Sequence, residues 1–416
     1  MSRLARATAD QRGMVLPLTL MFVIILATLS VALLTVGGHE TLIAANHLKG
    51  VHALFLAEAG LEDAFNTFRN STSLLTTSDN SLKTLSSVAC VADSTASACS
   101  TLKAYGGYSV QYQSAGTDTV RVVVTGYTGT SGSQTATRVL RAILTQGWTS
   151  TDAVRTKDSL TINGNQTVSG SCGSVHTNSN LTLIGNSIDV DVQATASGTA
   201  SGTYDSATTK NASAQPSQAS KSIPSVSAAT ALTKALSTLN SSTIYKLQSN
   251  GTVVNGAGTT ITTLTEWSYD SGTATWTQTG NTATAGTFYV EGNVGVGGGA
   301  GSSGNPWNAT ILATGDIVIS GSPYITAHLT DTLLVADKDI SIAGNANLHN
   351  GVIGTHEQIA LTGNVSITGS VVAEGAASTS STVTANAVSS GHVTITYQCG
   401  MQPPFPGDLT ILASGF

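Results

Sequence analysis

The sequence predicts α+β structure giving way to all-β structure. A long N-terminal transmembrane helix with a small antiparallel sheet precedes a parallel, right-handed β-helix. Three observations predict this. The run Met14–Val36 is apolar and carries no charge. Alternating apolar runs separated by Gly/Ser/Thr turns fall between residues 108 and 144. A pattern of apolar, any, apolar, then glycine recurs beyond residue 158 at steps of about 19 to 23 residues, near the period of a stacked repeat. Composition agrees. Of 416 residues only 10% are charged and 5% aromatic, while 43 are glycine. That disfavours an ordinary soluble enzyme and suits repetitive β structure with small turn residues.

Residues 1–13 form a basic leader, with Arg3, Arg6 and Arg12 against Asp10. The apolar run after them is about 34 Å long as a helix, enough for a bilayer core. Its basic flank predicts a cytoplasmic N-terminus, which puts later residues outside. The helical stretch 14–69 continues past Gly37-Gly38, which are expected to loosen it. There Ile43, His47, Gly50, Leu54, Ala57, Leu61, Phe65 and Phe68 fall on one face at i+3/i+4 spacing.

These residues carry a resemblance. Arg12-Gly13-Met14 ahead of an apolar helix resembles the leader and cleavage site of type IV pilin-like proteins. The stretch down to Ala45-Asn46, Phe55 and Ala57-Glu58-Ala59-Gly60-Leu61 is similar to the N-terminal module of PilX-like minor pilins. The resemblance implies cutting by a prepilin peptidase between Gly13 and Met14, and methylation of the new N-terminus. It also implies a helix that anchors the chain before packing with other pilin-like subunits. At the fifth mature position, the filament register position, major pilins carry a glutamate; here it is Leu18. A carboxylate in lipid needs a partner. Its absence implies a tip or priming subunit, or one outside the filament.

Residues 70–147 are expected to form a small antiparallel head built from runs at 108–112, 120–124 and 137–144. The disulfide candidates are Cys90, Cys99, Cys172 and Cys399, and four cysteines allow three pairings. Cys90 and Cys99 form a local bridge or stay buried thiols; Cys172 and Cys399 pair or stay free. With no C-x-x-C, redox-motif and zinc-ribbon readings are weak.

First β-helix rungs are expected over 148–192, from Leu160-Thr161-Ile162 and Leu181-Thr182-Leu183. The main rungs and a C-terminal cap occupy 286–416, from Val294, Ile317, Ile340 and Ile359. Glycine permits the turn after each strand. Asparagine follows it at 165, 186, 345 and 364, where it can stack in ladders. A Greek-key β-sandwich is the alternative. The Ser/Thr/Ala-rich stretch 193–285 reads as an insertion, with a short helix at Ala228–Leu239. Its Trp267 and Trp276 form a surface contact or cap the open solenoid end.

Little here points to chemistry. A β-helix enzyme needs carboxylates close together, and stacked rungs place Asp316 and Asp339 near one another. The column Asn293, Asp316, Asp339, Gln358 varies as a polar turn does, so no catalytic residue is assigned. His349, His356 and His392 lack metal spacing, and no metal or cofactor is expected. With 17 basic and 23 acidic residues and no basic stripe, nucleic acid is not an expected partner. The expected partners are the membrane, other pilin-like subunits, a prepilin peptidase and surface glycans. The reading is a single-pass inner-membrane structural protein of a type IV pilus or related assembly, with adhesion or filament priming as its job. A membrane-anchored polysaccharide-binding or polysaccharide-active β-helix protein is the alternative.

Overall fold

The structure, a computed structural model, describes residues 15–70, 81–85, 106–116, 119–130, 133–281, 283–380, 382–383 and 387–415. It is a long N-terminal helix followed by antiparallel and parallel β structure. The chain divides into two compact units, residues 1–145 with 409–416, and residues 146–408.

In the first unit, α1 (Val15–Asn70) runs unbroken for 56 residues, through Gly37-Gly38. Four strands follow: β1 (Lys83–Thr84), β2 (Gly106–Gly116), β3 (Thr119–Thr130) and β4 (Ser133–Gly147). They pair antiparallel in that order. Pro406–Gly415 joins the sheet beside β4. The C-terminal strand therefore completes the first unit rather than capping the repeats. The core sets Tyr108, Val110, Val122, Val124, Leu140 and Leu144 against Ala57, Ala64 and Phe68 of α1.

In the second unit the chain passes repeatedly through parallel ladders. One runs Val294, Ile317, Ile340, Ile359 in register. A second runs Ile325, Leu348, Ile367, Ile395, Val168, Val190, all buried. Alternation along each strand turns these residues into one continuous apolar core.

Two features depart from the sequence reading. First, much of 193–285 is not an insertion. Ile244–Leu247 pairs parallel with Gly286–Val290, and Thr275–Gln278 pairs parallel with Asn293–Val296. Residues 244–290 therefore begin the stack. Antiparallel hairpins end it, Val253–Asn255 on Ile244–Leu247 and Trp267–Asp270 on Thr275–Gln278. They cover edges that would otherwise template aggregation. Second, stack order is not chain order. Val388–Thr396, the last rung in sequence, pairs along its length with Leu160–Ser169, the first. The chain enters and leaves this unit at the middle of the stack.

A glycine column fixes the turn. Added Cβ atoms at Gly321, Gly344, Gly363, Gly391, Gly164 and Gly185 would each come within 2.2–2.7 Å of the carbonyl oxygen of the glycine one rung away. At Gly344, Gly363, Gly391 and Gly164 φ is also between +83° and +93°, so both space and conformation require glycine. The column runs from Gly391 to Gly164 without interruption, across the sequence-distant joint.

Candidate functional site

Every side chain from Val15 to Lys49 is exposed. Leu16 is 79%, Leu18 64% and Leu34 76% exposed. The hydroxyls of Thr19, Thr28, Ser30 and Thr35 each donate to a carbonyl oxygen three or four residues earlier, at 2.8–3.0 Å. The surface thus offers lipid an apolar face with those hydroxyls already bonded. Among the described residues α1 is the helix long and apolar enough to cross a membrane. Leu18 sits on this exposed surface; Gly13 and Met14 lie outside the described residues.

The second half of α1 packs differently from the expected face. Ile43 is 68% exposed, while Ala53, Ala57, Ala64 and Phe68 are fully buried. The contact stripe is Gly50, Ala53, Ala57, Gly60, Ala64, Phe68, built mostly of small residues. A Cβ on Gly126 of β3 would lie 2.1 Å from the Ala53 carbonyl oxygen, and one on Gly60 2.6 Å from Val124. The Ala57-Glu58-Ala59-Gly60-Leu61 segment therefore lets helix and sheet backbones approach closely. Tyr108 hydroxyl donates to Asp63 at 2.8 Å beside it.

The carboxylate column forms, as a ladder of hydrogen bonds. Asn293 Oδ1 accepts from Asp316 N at 3.0 Å, Asp316 Oδ1 from Asp339 N at 3.1 Å, and Asp339 Oδ1 from Gln358 N at 3.0 Å. The outer oxygens are taken up as well. Asp316 Oδ2 accepts from Thr382 Oγ1 at 2.8 Å. Asp339 Oδ2 accepts from Ser378 and Ser380 hydroxyls at 2.8 Å each and from Val383 N at 3.0 Å. Glu357 holds Thr379 through its backbone N and hydroxyl. The two aspartates tie rung to rung and fasten Ser378, Ser380, Thr382 and Val383 over them.

The proposed tryptophan contact surface is corrected. Trp267 is 6% and Trp276 3% exposed. The Trp267 ring lies 5.1 Å from Phe288 and 6.3 Å from Trp307, and Trp276 Nε1 donates to Gln248 O at 3.1 Å. The rings fill the end of the core instead of facing solvent. Cys172 and Cys399 are disulfide-bonded across 227 residues; Cys90 and Cys99 lie outside the described residues. His349 Nδ1 is 3.0 Å from Thr368 Oγ1, and His356 Nδ1 2.7 Å from Glu374. His392 is exposed in the row Asn364, His392, Asn165.

Sequence reasoning missed the segment that reconnects the two ends of the stack. After Ala200–Ser201 the chain returns along the outside of the ladder that aligns Leu312, Val335, Gly354, Val372, Arg155, His176 and Thr195. Lys221 Nζ donates to buried Asp152 at 2.7 Å, and Arg155 binds Asp152 and Ser222 O. Asn178 exchanges hydrogen bonds with Lys221 backbone at 2.8 and 2.9 Å. Further along, Glu374 accepts from Val226 N at 3.0 Å and Asp337 from Ala228 N at 2.7 Å. Helix α2 (Ala228–Thr238), capped by Ser227, then buries Ala228 and Ala231 in the cluster holding Leu312, Val335 and Val372. Burial pushes the Asp152 carboxyl up, but Arg155's charge and hydrogen bonds from Lys221 and Ser174 outweigh it and hold it below the usual range. Burial lowers His176, against its hydrogen bond to Asn178, and lowers His328 and His349. The sequence signal was the cluster Asp152, Arg155, Lys157 and Asp158 in a chain only 10% charged.

A second missed pair sits at the joint. Ser389 and Gln166 are 7% and 3% exposed, and Ser389 Oγ donates to Gln166 Oε1 at 2.7 Å. They stand where neighbouring rungs carry Leu361 and Ile162, or Val393 and Ile188.

No family model matches the chain, and no curated protein matches it. Among solved structures it is similar to the competence-associated pilin ComZ from Thermus thermophilus. The two are 13% identical over 88% of this chain and 97% of that one, with a TM-score of 0.28. At that score the likeness carries no argument for fold or function.

Proposed function

We propose that this chain is a minor pilin-like structural subunit, held in the inner membrane by residues 15–36 and carrying a parallel β-helix outside the cytoplasm. The observation that carries the reading is the two-part helix α1. Its first part is uncharged and exposed throughout; its second part clasps an antiparallel sheet through small residues. One continuous helix that serves a bilayer and then a head suits a subunit that assembles through its helix. Leu18 in place of a carboxylate favours a tip or priming position. In-register parallel pairing at steps of about 19 to 23 residues supports the β-helix. Such a stack displayed from the envelope suits adhesion, with surface glycans as candidate targets.

The test is purification of the tagged full chain from solubilised envelopes. Recovery in the membrane fraction with other helix-anchored, pilin-like subunits is the expected result. Recovery from the soluble fraction, or from membranes without such subunits, would overturn the assembly role.

A further inference from the structure

This inference rests on the adhesion reading above, deepens it to one surface and one class of target, and concerns the repeat unit alone. The ladder that aligns Leu312, Val335 and Val372 is covered on its outside by α2 and the segment leading into it. The ladder that aligns Val294, Ile317, Ile340 and Ile359 turns Gly295, Val318, Ser341 and Ala360 outward, with one hydroxyl among them. The third ladder differs. Ile325, Leu348, Ile367, Ile395 and Val168 are buried, and strand alternation sends their neighbours outward. One outward column is Tyr324, Asn347, Ser366, Thr394 and Thr167; the next is Thr326, His349, Thr368, Thr396 and Ser169. All of these side chains are half-buried.

Two properties set this face apart. The stretches that build it, 324–326, 347–349, 364–368, 392–396 and 165–169, contain no Asp, Glu, Lys or Arg, and burial holds the His349 imidazole below its usual range. Acids stand at its borders: Asp189 follows Thr167 one rung on, and Asp331, beyond Thr326, accepts from Gln402 N. The two columns also differ in what they have left to offer. In the second, His349 Nδ1 lies 3.0 Å from Thr368 Oγ1, the Ser169 and Thr396 hydroxyls are 3.0 Å apart, and Thr326 Oγ1 accepts from Asn350 at 3.3 Å. In the first, the hydroxyls of Tyr324, Ser366, Thr394 and Thr167 have no protein partner among the described residues. That column repeats at about 4.8 Å per rung over about 19 Å. Threonine is stiff at χ1, so its hydroxyls are held in place before anything binds, which lowers the ordering cost of binding. At one end the Tyr324 ring stacks on His349, centroids 4.6 Å apart.

We propose that this face is the adhesive surface and that its ligand is a neutral polysaccharide lying along the stack, across the strands. The chemistry selects that class. With no cation in its strands, the face has nothing to hold a phosphate or an acidic polymer. Protein interface cores favour aromatic, Met and Arg side chains, whereas hydroxyls and amides make up most of this face. A sugar polymer presents hydroxyls at every repeat. Each is donor and acceptor, as the Ser and Thr hydroxyls are, so a repeating column meets a repeating ligand. The apolar side of a sugar ring suits the aromatic end at Tyr324. Each rung adds a few shallow contacts, so binding grows with polymer length.

The test uses the full chain in detergent micelles and measures its retention on particles of cellulose, chitin and xylan, with bead-bound polygalacturonate as the anionic probe. Retention on at least one neutral polymer is expected, competed by its long oligosaccharides and not by its monosaccharide. Ser366→Ala, Thr394→Ala and Thr167→Ala combined should reduce it about tenfold or more, because three hydrogen bonds are lost. Thr394→Arg, which puts bulk and charge in the middle of the column, should do the same. Ser341→Lys, on the neighbouring ladder, should leave it unchanged. Retained protease resistance of the second unit and retained Cys172–Cys399 bonding verify folding in each variant. Retention indifferent to the triple change, none on any neutral polymer, or stronger retention on polygalacturonate would overturn the proposal. So would self-association that the triple change abolishes, which would assign the face to a second copy. Co-purification from the same envelopes separates the failures: a chain recovered with pilin-like subunits that binds no polymer defeats this inference only, whereas a chain that binds polymer without such subunits defeats the assembly reading.

Discussion

A side chain at Gly363 has nowhere to go. Its φ is +88°, and a Cβ there would lie 2.6 Å from the Gly344 carbonyl oxygen. Gly363→Ala is therefore expected to cost about 1–3 kcal/mol, read as a lower urea midpoint of the solubilised chain. Gly297→Ala, whose Cβ would meet only Ser320 Oγ at 3.9 Å, is expected to be near neutral. Most of this column was legible because glycine recurs after each strand, usually before asparagine. Gly391 was not, because His392 follows it. Buried His176 and half-buried His328 and His349 act at this scale too. His176, His328 and His349 are held below the usual value by burial. A lowered histidine favours folding fully above the unfolded value, near pH ~6.5, and that contribution is lost as pH falls toward the folded value. Asp152 is also lowered, so its share is retained until the pH drops below the unfolded carboxylate value near ~3.9. Asp337, raised by burial, works in the opposite sense near its own titration. Denaturation midpoints at pH 7.5, 6 and 5 should fall in that order; a flat profile down to pH 4 would show that the histidines contribute nothing.

At the scale of elements, what the sequence displayed depended on how local the pairing is. Rungs at 294, 317, 340 and 359 stack on their chain neighbours, so their period is visible. The joint between Val388–Thr396 and Leu160–Ser169 joins segments more than two hundred residues apart, and no period can announce it. The rungs over 244–290 were hidden by hairpins that interrupt the spacing. The helix face was misread because its stripe is glycine and alanine, which a search for large apolar residues passes over. At the joint, Ser389–Gln166 and Cys172–Cys399 both bridge the sequence-distant halves. A buried polar pair specifies its own register, since an unmatched partner would stay unsatisfied. Removing the disulfide with Cys172→Ser and Cys399→Ser is expected to cost about 2–5 kcal/mol. Hydrogen exchange should show the loss first in 154–201 and 388–399, with 307–373 still protected. Uniform loss across the unit would argue against a discrete joint.

On the scale of the whole molecule, the chain leaves its first unit after residue 145 and returns at 409, so the repeat unit is held by two covalent connections. The long apolar helix was legible from its uncharged run. The returning C-terminal strand was not, because Leu409-Thr410-Ile411-Leu412 reads equally well as a last rung. On the proposed function, the first part of α1 is a pilin-type anchor exposed by processing. N-terminal sequencing and intact mass of the chain from membranes of cells with an active prepilin peptidase tests it most directly. A chain beginning at Met14 with a methylated amine is the expected result. Retained Met1, or a cut beyond Ala32 that removes the anchor, would contradict it.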